Sequence, residues 1–312
     1  MNWLVRRVSN ELENKCSQYG DLQTDVSMAT LTTYKVGGRA KYVFYPSSLV
    51  GLIRGLQLMQ EAGYPCKLLG KGSNLLASDD DYHGCLVRLD RNFTNCYFED
   101  DGVVYVESGA SIIFVSHEAM KHELSGLEFA SGIPGTVGGA LFMNAGAYKS
   151  CMADVVKEVL VYREGRVEWL DVKECNLAYR SSIFQQHRDW IILAIKLQLK
   201  VGDGVEIKSL MDSRRERRLA SQPLDKPSAG SVFRNPEKIA AWQCIEGVGL
   251  RGRRVGGAQV SEKHANFIIN VGNAKAEDVR ALIEEVQQAV KDKYQIELQT
   301  EVEFFNWENN NR

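Results

Sequence analysis

The sequence predicts an α+β protein of two domains, and three observations carry that reading. The chain has 312 residues, enough for two domains at ~100–200 residues each. Strand and helix signals alternate in its first third, strands dominate the middle, and helical spacing returns after about residue 202. Glycine occurs 27 times and proline only 6, so turns and close backbone approaches are built with glycine.

Taken in order, Lys41 to Tyr45 reads as a strand ending at Pro46. Ser47 or Ser48 then caps a helix with Leu49, Leu52, Ile53 and Leu56 on one face, stopping at Gly63. A strand from Cys66 to Leu69 runs into Gly70-Lys71-Gly72-Ser73-Asn74. Val103 to Glu107 is a further strand, and Val159 to Tyr162 with Val167 to Leu170 flank Glu164-Gly165 as a hairpin. Ile195, Leu197 and Leu199 alternate with Lys196, Gln198 and Lys200 as a half-buried strand. Glu206 to Ala220 reads as a charged helix, Gln222 to Gly230 as a loop, and Val279, Leu282, Ile283, Val286 and Val290 as one face of a helix. Ile296 to Phe305 is the last expected strand, and Glu308 to Arg312 a polar, frayed tail. The expected division is a first domain over 1–202 (core about 37–201) and a second over 203–312.

Composition narrows the class. The chain carries 38 Lys+Arg against 40 Asp+Glu, with 44% hydrophobic and 25% charged residues. This is a globular profile, with ample apolar content to bury and little net charge to repel. Spanning a bilayer takes ~20 apolar residues, and no run approaches that length. Arg6 and Arg7 near the start have no apolar stretch behind them, so no signal peptide is expected. Balanced charge argues against nucleic acid as a partner. The seven cysteines are odd in number, widely spaced and without a C-x-x-C, which points to reduced thiols in a cytoplasmic setting and to no metal site.

The densest glycine segment runs from Ser131-Gly132-Ile133-Pro134-Gly135-Thr136-Val137-Gly138-Gly139 to Asn144-Ala145-Gly146-Ala147, and Lys and Arg are absent from 123–148. Small residues let backbone N–H groups meet an anion closely, so the segment suits phosphate; tight packing of loop on strand is the competing explanation. Neither a P-loop nor a complete dinucleotide fingerprint is present: Gly70-x-Gly72 lacks its third glycine at Leu75.

Seven strings in order resemble the UDP-N-acetylenolpyruvylglucosamine reductase family: Thr33-Tyr34-Lys35-Val36-Gly37-Gly38, Gly70 to Asn74, Ser131 to Tyr148, Tyr179 to Phe184, Pro227 to Phe233, Val260 to Phe267 and Leu298 to Val302. The resemblance implies a flavin domain of the vanillyl-alcohol-oxidase type, a smaller α+β substrate domain, and a final strand (about 301–307) returning to the N-terminal region. It implies FAD and NADPH as cofactors, a sugar nucleotide as substrate, and a role in making the peptidoglycan precursor UDP-N-acetylmuramate. The flavin is expected on Tyr34, Val36, Gly37, the 70–74 string, and Ser131, Gly132, Pro134, Gly135, Thr136, Gly138, Gly139, Asn144, Gly146 and Ala147. The run from Ala140 to Tyr148 lacks the long inserted tyrosine loop of one branch, so the similarity is to the shorter second type.

The reaction so implied adds hydride to the terminal carbon of an enolpyruvyl ether and a proton to its neighbour. Charge spreading into the carboxylate suits an Arg fork, and the proton needs a positioned donor. By resemblance Arg180 and Glu301 stabilise the intermediate, Glu301 carrying or sharing a proton, and Ser231 is the proton donor. Arg217 and Asn235 match substrate contacts. The Lys usual four residues after Arg217 is Ser221 here, a gap that Arg214 or Arg218 can fill. His264 is expected to be a packed, hydrogen-bonded residue. Two rival readings are an alcohol-oxidising flavoenzyme of the same fold and a non-catalytic nucleotide-binding module resting on the arginine cluster.

Overall fold

The computed structural model describes residues 11–307. Both chain ends, including the stretch tested for a signal peptide and the polar tail, lie outside the described residues. Two compact units are formed: one from residues up to Thr24, Tyr42–Lys71 and His83–Glu216, the other from Asp25–Lys41, Gly72–Tyr82 and Arg217 onward. The two units are interleaved in sequence and change over at 216/217, inside the helix Gly204–Ser221.

In the first unit, a five-stranded antiparallel sheet runs in the order Arg166–Asp171, Val156–Arg163, Ile191–Gln198, Val103–Glu107, Cys96–Phe98. The expected hairpin is its edge, with Val159 facing Leu170 and Val161 facing Glu168. Ile191 to Ile195 are all buried, and alternation sets in only with Lys196 and Gln198, because the strand is central. Helices Ile112–Lys121 and Val137–Phe142 cover the sheet with Ile112, Val115, Ala119, Val137 and Leu141.

A second core of this unit lies under helix Leu49–Glu61, whose Ser48 cap accepts from Gly51 N at 3.1 Å. The helix settles directly on Phe44: a Cβ on Gly55 would stand 2.1 Å from that ring. Much of the glycine excess serves such close packing. Strand Cys66–Leu68 lies parallel to Tyr82–Val87, and all seven cysteines are free thiols.

The second unit is built on helix Ala276–Tyr294. Val279, Leu282, Ile283, Val286 and Val290 are fully or almost fully buried, worth about 1.5–3 kcal/mol each. They pack with Ala258, Val260 and Ile268, together with Tyr34, Leu76, Phe233 and Val302. The Asp79 carboxylate accepts from Ala276 N (2.9 Å) and Glu277 N (3.1 Å), satisfying donors at the helix start.

Of the expected final strand Glu303–Phe305 forms a strand, parallel to Leu75–Ala77, and Thr300 makes an isolated bridge with Phe233. Residues 296–302 do not join a ladder, because Glu301 N and Val302 N both donate to one carbonyl, Val232 O, at 2.7 and 3.4 Å. Among the described residues no helix is long and apolar enough to cross a membrane.

Candidate active site

In the first unit, Thr136 caps helix Val137–Phe142, its Oγ1 accepting from Gly139 N at 3.1 Å. Gly70 arrives beside the same hydroxyl, where an added Cβ would stand 3.0 Å from Thr136 Oγ1. The structure thus joins two strings that lie far apart in sequence. Ser131, Gly132 and Gly135 are half-buried and Pro134 is exposed, leaving a neutral, accessible backbone turn ahead of the helix. The Ser131 hydroxyl is engaged inward, donating to Glu128 O at 3.0 Å. Lys71 is exposed.

The far end of the glycine segment is clasped by the 178–185 loop. Asn144 Nδ2 donates to Ala178 O (2.7 Å), and Ser182 Oγ donates to Phe142 O (2.7 Å). Arg180 Nη2 donates to Gly146 O (3.0 Å). Gln185 Nε2 reaches Phe142 O (3.0 Å) and Arg180 O (3.1 Å). Arg180 sits at φ 55, a left-handed conformation costing a non-glycine residue roughly 1–2 kcal/mol. Gly146 and Ala147 form a short ladder with Ser150–Cys151. At the turn of that ladder, Tyr148 Oη donates to Arg214 O at 3.0 Å, with the Arg214 guanidinium 4.8 Å from its ring centre.

In the second unit, the backbone following Ser231 meets the backbone at Thr300 and Glu301. Glu301 N donates to Val232 O at 2.7 Å, and a bridge joins Phe233 to Thr300. Buried Asn266 fixes the segment after Ser231: its Oδ1 accepts from Phe233 N (3.0 Å), its Nδ2 donates to Phe233 O (2.8 Å), and its carbonyl accepts from Val232 N (2.8 Å). Asn74 Nδ2 donates to Glu301 O at 2.9 Å. Gly72 O accepts from Thr33 N at 3.2 Å, which sets the 33–38 string beside the 72–74 string.

Val36 is buried, and Tyr34 is buried completely. The Tyr34 Oη has no hydrogen-bond partner among the described residues, and burial raises its pKa. Gly37 and Gly72 have φ of +108 and +61 and face the chain's own backbone and side chains closely. Their smallness is therefore used in packing. Asn235 Oδ1 accepts from Ala241 N at 3.0 Å, at the start of helix Ala241–Gly247. Arg217 is exposed, and Arg218 Nε donates to Gln222 Oε1 at 3.2 Å.

His264 is packed edge-on against Phe267, with Asn266 N directed at its Nδ1 at 3.3 Å. Burial, then the neutral-favouring Arg251 charge, lowers its pKa. The sequence reading missed Gln185, Ser182 and Asn266 as supports. Of these only Asn266 carries a local signal, a polar residue set between Ala265 and Phe267-Ile268.

Comparison with known proteins then places the chain. Residues 40–171 match a family model described as an FAD binding domain. Residues 222–305 match one described as the C-terminal domain of UDP-N-acetylenolpyruvoylglucosamine reductase. The reductase of that name from Pseudothermotoga lettingae is 44% identical over 286 residues, covering 91% of this chain and 98% of that protein. Its counterpart from Anoxybacillus flavithermus is 41% identical over 285 residues, covering 91% and 94%. The crystal structure of the Thermus caldophilus enzyme superposes with a TM-score of 0.80 at 32% identity, covering 92% of this chain and 100% of that one.

The chain's own residues fit FAD. In the first unit the neutral, accessible backbone turn at 131–135 suits the diphosphate of such a cofactor. The expected fold class holds: an α+β chain with an FAD-binding domain followed by a C-terminal domain. Both rival readings give way to the family assignment. With 41–44% identity over nine-tenths of its length, this chain belongs to the UDP-N-acetylenolpyruvoylglucosamine reductase family and is an FAD-dependent oxidoreductase of peptidoglycan-precursor synthesis that acts on a nucleotide sugar.

Proposed function

We propose that the chain reduces UDP-N-acetylglucosamine enolpyruvate to UDP-N-acetylmuramate in the cytoplasm, with NADPH as reductant. When bound, FAD supplies the hydride carrier between NADPH and the terminal carbon of the enolpyruvyl group. The protein's task is then to hold the substrate carboxylate, stabilise the charge that spreads into it, and protonate the adjacent carbon. Arg180 meets the carboxylate with its planar fork. Glu301 assists by a hydrogen bond that requires its carboxyl to carry a proton at that moment. Ser231 Oγ gives its proton to the carbon and recovers one from water or a neighbouring donor.

The flavin is assigned to Tyr34, Val36 and Gly37, to 70–74, and to the 131–147 residues named above. The nucleotide diphosphate is assigned to Arg217 and Arg218, and Asn235 is assigned to the substrate. In this reading the first domain serves the flavin and the second, from about 203, the substrate.

The observation that carries the reading is the Glu301 N to Val232 O hydrogen bond, which sets a carboxyl-bearing residue beside the residue that follows Ser231. Ser231→Ala tests it. That variant is expected to bind flavin and to be reduced by NADPH at the normal rate, yet to fail in passing reducing equivalents to the enolpyruvyl substrate. Near wild-type turnover would exclude Ser231 as the proton donor.

A further inference from the structure

We propose that Gln185 is a positioning residue for Arg180, fixing the backbone of residue 180 in the left-handed conformation from which its guanidinium serves the substrate. This rests on the assignment of Arg180 to the substrate carboxylate. The carbonyl of a residue is aimed by that residue's own ψ, so a donor that pins Arg180 O sets how the peptide leaves position 180. Gln185 Nε2 supplies that donor at 3.1 Å and reaches Phe142 O at 3.0 Å with the same nitrogen. A side-chain amide nitrogen has two N–H groups, so two carbonyls use both, and Met143 Sδ at 3.7 Å is a glancing third contact.

The other end of Arg180 is tied to the same segment. Its Nη2 donates to Gly146 O at 3.0 Å. Backbone and guanidinium of one residue are therefore both referenced to residues 142–146, which belong to the candidate flavin segment. A guanidinium carries five N–H donors, and the bond to Gly146 uses one of them. The φ of 55 at Arg180 calls for such a tie: an arginine released from it relaxes toward the right-handed or extended region. Buried Ser182, whose hydroxyl shares Phe142 O at 2.7 Å, closes the loop on the other side.

The consequence is a distance effect on one half of the reaction. A displacement of about 1 Å in a positioned group can cost ~100-fold in rate. Only the step that uses Arg180 should feel it. The test uses the flavin-loaded enzyme in anaerobic stopped flow, with Gln185→Met, Arg180→Lys and the double variant. Gln185→Met is expected to keep its flavin and its rate of reduction by NADPH, while oxidation by the enolpyruvyl sugar nucleotide slows ~10–100-fold. In the Arg180→Lys background the same substitution should add little, because the two residues act as one unit.

Normal oxidation in Gln185→Met, with Arg180→Lys slow, overturns the inference alone. Normal oxidation in Arg180→Lys overturns the Arg180 assignment and the inference with it. Should Gln185→Met purify without flavin, Gln185→Lys, which retains a donor for one carbonyl, serves in the same comparison. Equal slowing by Gln185→Lys in both backgrounds overturns the proposal; slowing confined to the wild-type background supports it.

Discussion

The side-chain amide of Asn74 donates to the backbone carbonyl of Glu301 at 2.9 Å, across 227 residues of sequence. The Asn74 carbonyl accepts from Glu303 N at 2.9 Å in return. One residue of the 70–74 string thus grips the chain on both sides of Val302, ahead of the strand pair Leu75–Ala77 and Glu303–Phe305. Asn74→Ala removes the donor and leaves the Glu301 carbonyl half-buried without it. The expected cost is about 1–3 kcal/mol, read as a lower urea midpoint at unchanged slope. Asn74→Asp should cost at least as much, since a carboxylate cannot donate. A midpoint unchanged in both variants would show that the contact contributes nothing.

Glycine substitutions separate conformational cost from steric cost. Gly72 has φ +61, and a Cβ there would stand 2.3 Å from Leu31 O, a backbone atom that cannot swing away. Gly230, immediately before Ser231, has φ +78 but open space around it. Gly230→Ala therefore pays only the left-handed penalty of about 1–2 kcal/mol. Gly72→Ala adds a clash of roughly 1–3 kcal/mol. Parallel urea titrations should rank Gly72→Ala as clearly the less stable of the two, and the reverse order would contradict the backbone geometry.

The difference between these glycines explains what was legible in the sequence. Elements that bury one face, such as the helix carrying Val279, Leu282, Ile283, Val286 and Val290, announce themselves by period, and they stand where expected. Residues 296–302, expected as strand, do not form one: Glu301 and Val302 turn their N–H groups to a single distant carbonyl, and no local pattern encodes that. The interleaving of the two units rests on pairings such as Glu303 with Leu75, far apart in sequence; no local pattern encodes them, and the return of the last strand was legible only through the family resemblance. At the site, residue strings revealed which side chains to watch, but not that Gly37 and Gly72 are small for the sake of the chain's own packing. Nor did they reveal Gln185 and Asn266, whose roles are to hold backbone rather than ligand.

The half-buried imidazole of His264 gives the chain an acid-sensitive joint. Its pKa is depressed by burial and, less, by Arg251. An imidazole in the unfolded chain titrates near 6.5. Below that pH the unfolded chain takes up a proton that the folded site refuses, so stability falls as pH drops from about 6.5 to the lower folded value, and then levels off. Protonation has a local price as well, because Nδ1 accepts from Asn266 N at 3.3 Å and loses that capacity as imidazolium. Asn266 in turn brackets Phe233, two residues from Ser231. His264→Gln, which stays neutral across this range, is expected to flatten the urea midpoint between pH 7 and 5 relative to wild type. It should also reduce the acid loss of substrate-driven flavin oxidation, with NADPH-driven reduction changing less. Superimposable midpoint profiles for wild type and His264→Gln would show that this histidine does not set the acid limit.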